Sequence, residues 1–137
     1  MSCTPAEATA GLIAACAEFP GAHVCESEQH PWLMKAAQEH ADYQAKVEQQ
    51  SHQLFMAPGF FDDACEATGV SYVAEIAAES WSDQTHADGP TLGLDAFKSW
   101  NASPGHWRVA STKHRFYGAG MALGADGIWY STILTAD

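Results

Sequence analysis

Basic residues are scarce in this chain. Six lysines and arginines stand against 17 aspartates and glutamates, a formal net charge of −11 before seven histidines are counted. With no basic stripe or cluster, nucleic acid and anionic membrane are poor partners. No run is long and apolar enough to cross a bilayer, and the N-terminus carries neither the basic n-region nor the apolar h-region of a signal peptide. Cysteine occurs four times, at Cys3, Cys16, Cys25 and Cys65, and never as C-x-x-C, which argues against a zinc knuckle. There is no internal repeat and no low-complexity tract. No serine or cysteine is set up as a nucleophile, since Ser103 precedes Pro104-Gly105 and lacks a strand-turn-helix elbow.

What is present suits one packed domain spanning residues 1–137. Apolar residues make up 47% and aromatics 11% of the chain, enough for a core and too much for a disordered segment. The acidity reads as the solvated surface of a secreted or environmental protein. Three of the four cysteines fall in the first 25 residues, which suggests disulfides tying down the N-terminal region, with three pairings open. Four buried free thiols are the alternative.

The last third of the chain constrains the fold most. Residues 115–123 and 128–135 alternate as two paired strands around the turn Gly124-Ala125-Asp126-Gly127. On the first strand Phe116, Gly118, Gly120 and Ala122 share one face, and Tyr117, Ala119, Met121 and Leu123 the other. Neither face is charged, so helices must cover both. The expected fold is therefore α+β, a three-layer α-β-α sandwich around a small antiparallel sheet. The glycines leave room for a closely packed helix or a shallow cleft.

Upstream, Thr4-Pro5-Ala6-Glu7 has the pattern of a helix start, followed by apolar Leu12, Ile13, Cys16 and Ala17 and stopped at Pro20-Gly21. Pro31 opens the longest helix, with an inward stripe of Leu33, Ala36, Ala37, His40, Ala41, Gln44 and Val47. His40, on that stripe, reads as a satisfied core histidine. Residues 55–61 form an apolar loop that either covers the core or supplies a lipid groove, and residues 62–67 a short helix ending at Gly69. Residues 70–77 read as a strand carrying Glu75 within an apolar run, and residues 82–93 as a surface loop. A helix through Leu94, Phe97 and Trp100 then stops at Ser103-Pro104-Gly105, with His106 just beyond.

Five elements occur in order: A-x-x-H-A from Ala37, Ser51-His52, G-V-S-Y-x-x-E-I-A from Gly69, W-x-x-S-x-G-H from Trp100, and F-x-G-x-G from Phe116. Together they make the chain resemble the CAP superfamily of cysteine-rich secretory, antigen 5 and pathogenesis-related proteins, in its short bacterial branch. The resemblance runs from the first helix to Thr135 and implies an α-β-α sandwich with a cleft of two histidines and two acids. By position it implies that His52 and His106 are the cleft histidines and Glu75 its first glutamate. The chain departs from the family at three places. Ile76 replaces the asparagine after the glutamate, Ser103 the second glutamate, and Val109-Ala110 an N-I pair. Glu79 and Asp95 are weak substitutes for the missing acid.

Two neutral imidazoles suit a divalent ion, zinc most naturally, with positions left for water. Glu75 would then serve as ligand or general base in a metal-dependent peptide or ester hydrolase. The competing expectation, ranked first, is an extracellular or surface-exposed binding or structural module for a protein, lipid or glycan ligand. A decoration protein on a virion or other surface assembly is its special case. A purely structural role for His52 and His106, hydrogen-bonded to Glu75 or backbone, is the third reading.

Overall fold

The computed structural model describes residues 4–80 and 89–137. Helix α1 (Pro5–Glu18) begins as its sequence dictates. The Glu7 amide donates to the Thr4 hydroxyl, the Thr4 amide donates to the Glu7 carboxylate, and Pro5 takes the first helical position. A 3-10 turn at Val24–Glu26 and a two-residue strand, β1 (Glu28–Gln29), lead into helix α2 (Pro31–Val47). Helix α3 (Phe60–Thr68) ends at Gly69, whose φ of 72° is a left-handed cap. Strand β2 (Val73–Ser80), helices α4 (Gly89–Asn101) and α5 (Pro104–Ala110), and strands β3 (Phe116–Leu123) and β4 (Trp129–Ala136) complete the described chain.

The sheet has the order β1-β3-β4-β2. Strands β3, β4 and β2 are antiparallel, and β1 adds a short parallel rung to β3, so the sheet is mixed. Alternation sorts the side chains into two cores. Tyr117, Ala119, Met121, Trp129, Ile133, Ile76 and Ala78 pack with α1 and α4. On the opposite face Phe116, Leu134, Val73 and Ala136 meet Leu33, Ala36 and Ala37 of α2. Ala122 and Tyr130 meet Ala41 and Ala45 of the same helix. The α-β-α sandwich is thus set by two uncharged faces, each needing a helical cover.

Helix α2 lies against β3 at backbone distance. A Cβ on Gly118 would fall 2.2 Å from the Leu33 carbonyl carbon, and one on Gly120 would fall 2.5 Å from Gln38 Cα. Both positions need glycine for close approach, since helix backbone cannot yield as a side-chain tip can.

The structure departs from the sequence reading at several points. Val47 is 43% exposed, so the buried stripe of α2 ends at Ala45. At helical spacing Val47 belongs to the stripe, but it is the helix's last residue, next to the left-handed cap at Glu48. The surface loop expected at 82–93 falls outside the described residues over 82–88, and Gly89 to Gly93 form the first turns of α4. Gly11, Gly89 and Gly93 sit so close together that backbone meets backbone where α1 crosses α4, which offsets the low helix propensity of the glycines. Ser103-Pro104-Gly105 does not only stop α4. It opens α5 with proline at its first position. Strand β2 runs on to Ser80. Cys16, Cys25 and Cys65 are free thiols, so no disulfide joins the described cysteines, and Cys3 lies outside the described residues. Cys16 on α1 and Cys25 in the 3-10 turn perturb each other: Cys25 holds the Cys16 thiol below its ordinary pKa, and Cys16 and burial push the Cys25 thiol up.

Candidate functional site

Strand β2 is an edge of the sheet, and the site is built on it. Glu75 pairs in register with Leu134 and points to the α2 face. Its side chain is 1% exposed. A buried carboxylate is tolerated only where its lone pairs are filled, and two histidines fill them. His40 of α2 places Nδ1 on one oxygen, and His52 places Nδ1 on the other at 2.7 Å. Burial alone would raise the Glu75 pKa, but the two imidazole hydrogen bonds outweigh it and hold the carboxyl below its ordinary value. An ionised carboxylate only accepts, so both histidines present Nδ1–H to it and keep Nε2 free of the proton when neutral.

His52 is carried by the segment after α2. Glu48, in the left-handed region at φ 56°, turns the chain back over the sheet. Three side chains then strap the segment down. The Gln50 amide donates to the Glu79 carboxylate at 3.0 Å, the Ser51 amide to Gln44 Oε1 at 3.4 Å, and Tyr43 Oη to Gln53 Oε1 at 2.7 Å. Gln44 is itself anchored on Thr132 Oγ1 at 2.7 Å. Glu79 shares the face of Glu75 because β2 continues through it, yet its work is to hold the strap. On sequence alone Gln44 reads as core and Glu79 as a weak substitute acid. The available signal is a long polar residue on an otherwise aliphatic buried stripe, which asks for a specific partner.

His106 sits in the first turn of α5, not on a loop beyond a helix end. Trp100, fully buried, donates from Nε1 to the Ala77 carbonyl at 3.0 Å and so ties the end of α4 to β2 just ahead of it. The His106 pKa is lowered by its partial burial and then by the charge of His52. The His52 pKa is raised, chiefly by its hydrogen bond to Glu75. The His106 imidazole makes no hydrogen bond with any described residue. Asp95 on α4 has a buried Oδ2 with no hydrogen-bond partner, and no contact joins it to this cluster among the described residues.

Fold and site together define an α-β-α domain with a buried carboxylate–histidine cluster on an edge strand. No protein-family model matches the chain, and no curated protein matches it in sequence. Among solved structures it is similar to an outer surface protein from Borrelia burgdorferi, with 17% identity, a TM-score of 0.64 and coverage of 93% of this chain and 87% of that one. At that identity the likeness establishes the fold alone. Among the described residues no helix is long and apolar enough to cross a membrane, and no group of three or more His, Cys, Asp or Glu side chains is placed to hold a metal ion.

Proposed function

We propose that the chain is a CAP-type binding or structural module that works at a surface outside the cytoplasm, with His52 and His106 as its recognition pair. The observation that carries this reading is the buried Glu75 carboxylate, which fixes the His52 ring and its tautomer. The five sequence elements of the resemblance support it, and so does the hydrogen bond that joins Glu75 and His52 from two distant segments. The fold likeness to an outer surface protein is compatible with a surface location.

The donor set decides what the site can hold. Two imidazoles fit a divalent ion such as zinc with water completing the shell, not a closed structural zinc site of four protein ligands. His52 Nε2 and a nitrogen of His106 would hold the ion, and bound zinc would supply Lewis acidity at that point. Glu75 then acts through His52, as the carboxylate behind a metal-ligating histidine does, raising its basicity and fixing its plane. Both Glu75 oxygens are held by imidazoles, so it is badly placed to take a proton from water. This ranks the binding module above the hydrolase.

Zinc titration by calorimetry on the wild type and on His52→Ala and His106→Ala tests the pair. A heat of binding lost in both variants is expected. Equal heats in all three proteins would remove the metal from the proposal. A panel of peptide and ester substrates with and without chelator addresses the alternative, and chelator-sensitive turnover would reverse the ranking.

A further inference from the structure

A concave feature lies along one flank of α2. It is a groove of about 380 Å³, closed on one side by α2 and on the other by residues 54–63, at the small end of the range for ligand sites. Its apolar wall includes Trp32 and Phe60, ring centroids 5.6 Å apart and planes inclined at 38°. Its polar groups are Lys35, Glu39, His40 and Asp63. The side chains of Lys35, Glu39 and Asp63 make no hydrogen bond or ion pair with any described residue. His40 lines the groove and is 4% exposed; its ring centroid lies 4.7 Å from that of Phe60, and with Nδ1 on Glu75 Nε2 is its remaining ring nitrogen.

We propose that this groove is a saccharide-binding site, in which a sugar ring lies on Trp32 and Phe60 and its hydroxyls donate to Glu39, Asp63 and His40. The argument is one of complementarity. Two carboxylates and an imidazole acceptor against one ammonium make an acceptor-rich rim, which asks for a ligand with several O–H donors. Aromatic faces are electron-rich and attract the slightly positive C–H face of a pyranose. Neutral hydroxyls also meet no repulsion from a chain of net charge −11. The same charges disfavour the competing occupants: a fatty carboxylate or a phosphate would meet Glu39 and Asp63 with Lys35 alone to offset them. A quaternary ammonium needs rings set around it, and the Trp32 and Phe60 rings lie against each other instead. The groove shares His40 with the Glu75 cluster, but its test does not depend on the reading of the His52–His106 pair.

Amide and indole chemical-shift titration of the ¹⁵N-labelled protein tests it, with glucose, N-acetylglucosamine, cellobiose and chitobiose as probes to about 50 mM, where millimolar affinities saturate. Saturable shifts confined to the Trp32 indole and the α2 and α3 segments that line the groove are expected for at least one sugar. Glu39→Gln, an exposed position that leaves the stacking wall intact, should weaken binding about tenfold, as loss of a charge-assisted hydrogen bond does. Trp32→Ala should abolish it, and the α1 and α4 resonances report whether that variant stays folded. No saturable shift with any of the four sugars overturns the proposal. So does binding that survives both substitutions, or saturable binding of choline or octanoate in place of every sugar.

Discussion

Replacing Glu75 by glutamine tests the centre of the site directly. The substitution keeps the shape of the side chain and removes its charge. Glu75 now accepts two Nδ1–H bonds in a pocket where its side chain is 1% exposed. A glutamine can accept one of them through its carbonyl oxygen, but its NH₂ then faces the other Nδ1–H. One histidine must change tautomer or turn away. A hydrogen bond to a charged group contributes about 1.5–3 kcal/mol and an unsatisfied buried donor costs a similar amount, so a loss of about 2–4 kcal/mol is expected in urea unfolding. The His52 pKa, raised chiefly by that carboxylate, should fall toward the ordinary histidine value in an NMR titration, and its ring nitrogen shifts should lose the Nδ1–H pattern. A variant within about 0.5 kcal/mol of wild type, with His52 titrating as before, would refute the assignment of Glu75 as the group that positions His52. The wild-type pH profile carries a matching sign. The depressed Glu75 contributes stability that is present above about pH 4.3 and is lost as pH falls through its folded pKa. The raised His52 contributes stability that is complete below about pH 6.5 and is lost as pH rises through its folded pKa. Between those limits the cluster is at its strongest. His106 acts the other way, because its lowered pKa makes stability fall as pH drops below about 6.5. His106→Ala should therefore steepen the gain in stability on acidification from pH 8 to pH 6.

Three further outcomes follow from the packing. Gly118→Ala puts a methyl 2.2 Å from the Leu33 carbonyl carbon and should lower stability by about 3 kcal/mol through separation of helix and strand; wild-type stability on thermal unfolding would contradict the close approach. Trp100→Phe removes the Nε1–H to Ala77 bond and leaves a void in a site with no exposure, for an expected loss of about 2–3 kcal/mol by denaturant titration. Val47→Ser should change stability by less than about 0.5 kcal/mol because the side chain stands in water; a loss of about 2 kcal/mol or more would place it back on the buried stripe.

The residues themselves made much of this fold legible. Alternation of uncharged side chains at 116–123 and 129–136 names two faces that must both be covered, and the glycines at 118 and 120 mark where one cover comes closest. The Thr4 to Glu7 pattern fixes a helix start from local chemistry alone. Boundaries that depend on distant partners were harder to read. Gly89 and Gly93 look like loop residues until α1 is brought against them, where small size is what the helix crossing needs. The two-residue strand β1 has no periodicity to detect and exists because β3 offers it hydrogen bonds.

The site divides the same way. The family resemblance pointed to His52, Glu75 and His106, because each stands in one of its short motifs. Tertiary structure alone shows what Glu75 and His52 touch. A carboxylate's chemistry depends on what fills its lone pairs, and His40, which its helical position marked only as core, takes one side of Glu75 while His52 takes the other. Likewise Gln44 and Glu79 gain their meaning from the strap they hold, since a hydrogen bond between segments far apart in sequence leaves no trace in the local pattern of either. Composition and periodicity determine which faces must be buried; only the folded chain determines which buried polar groups meet.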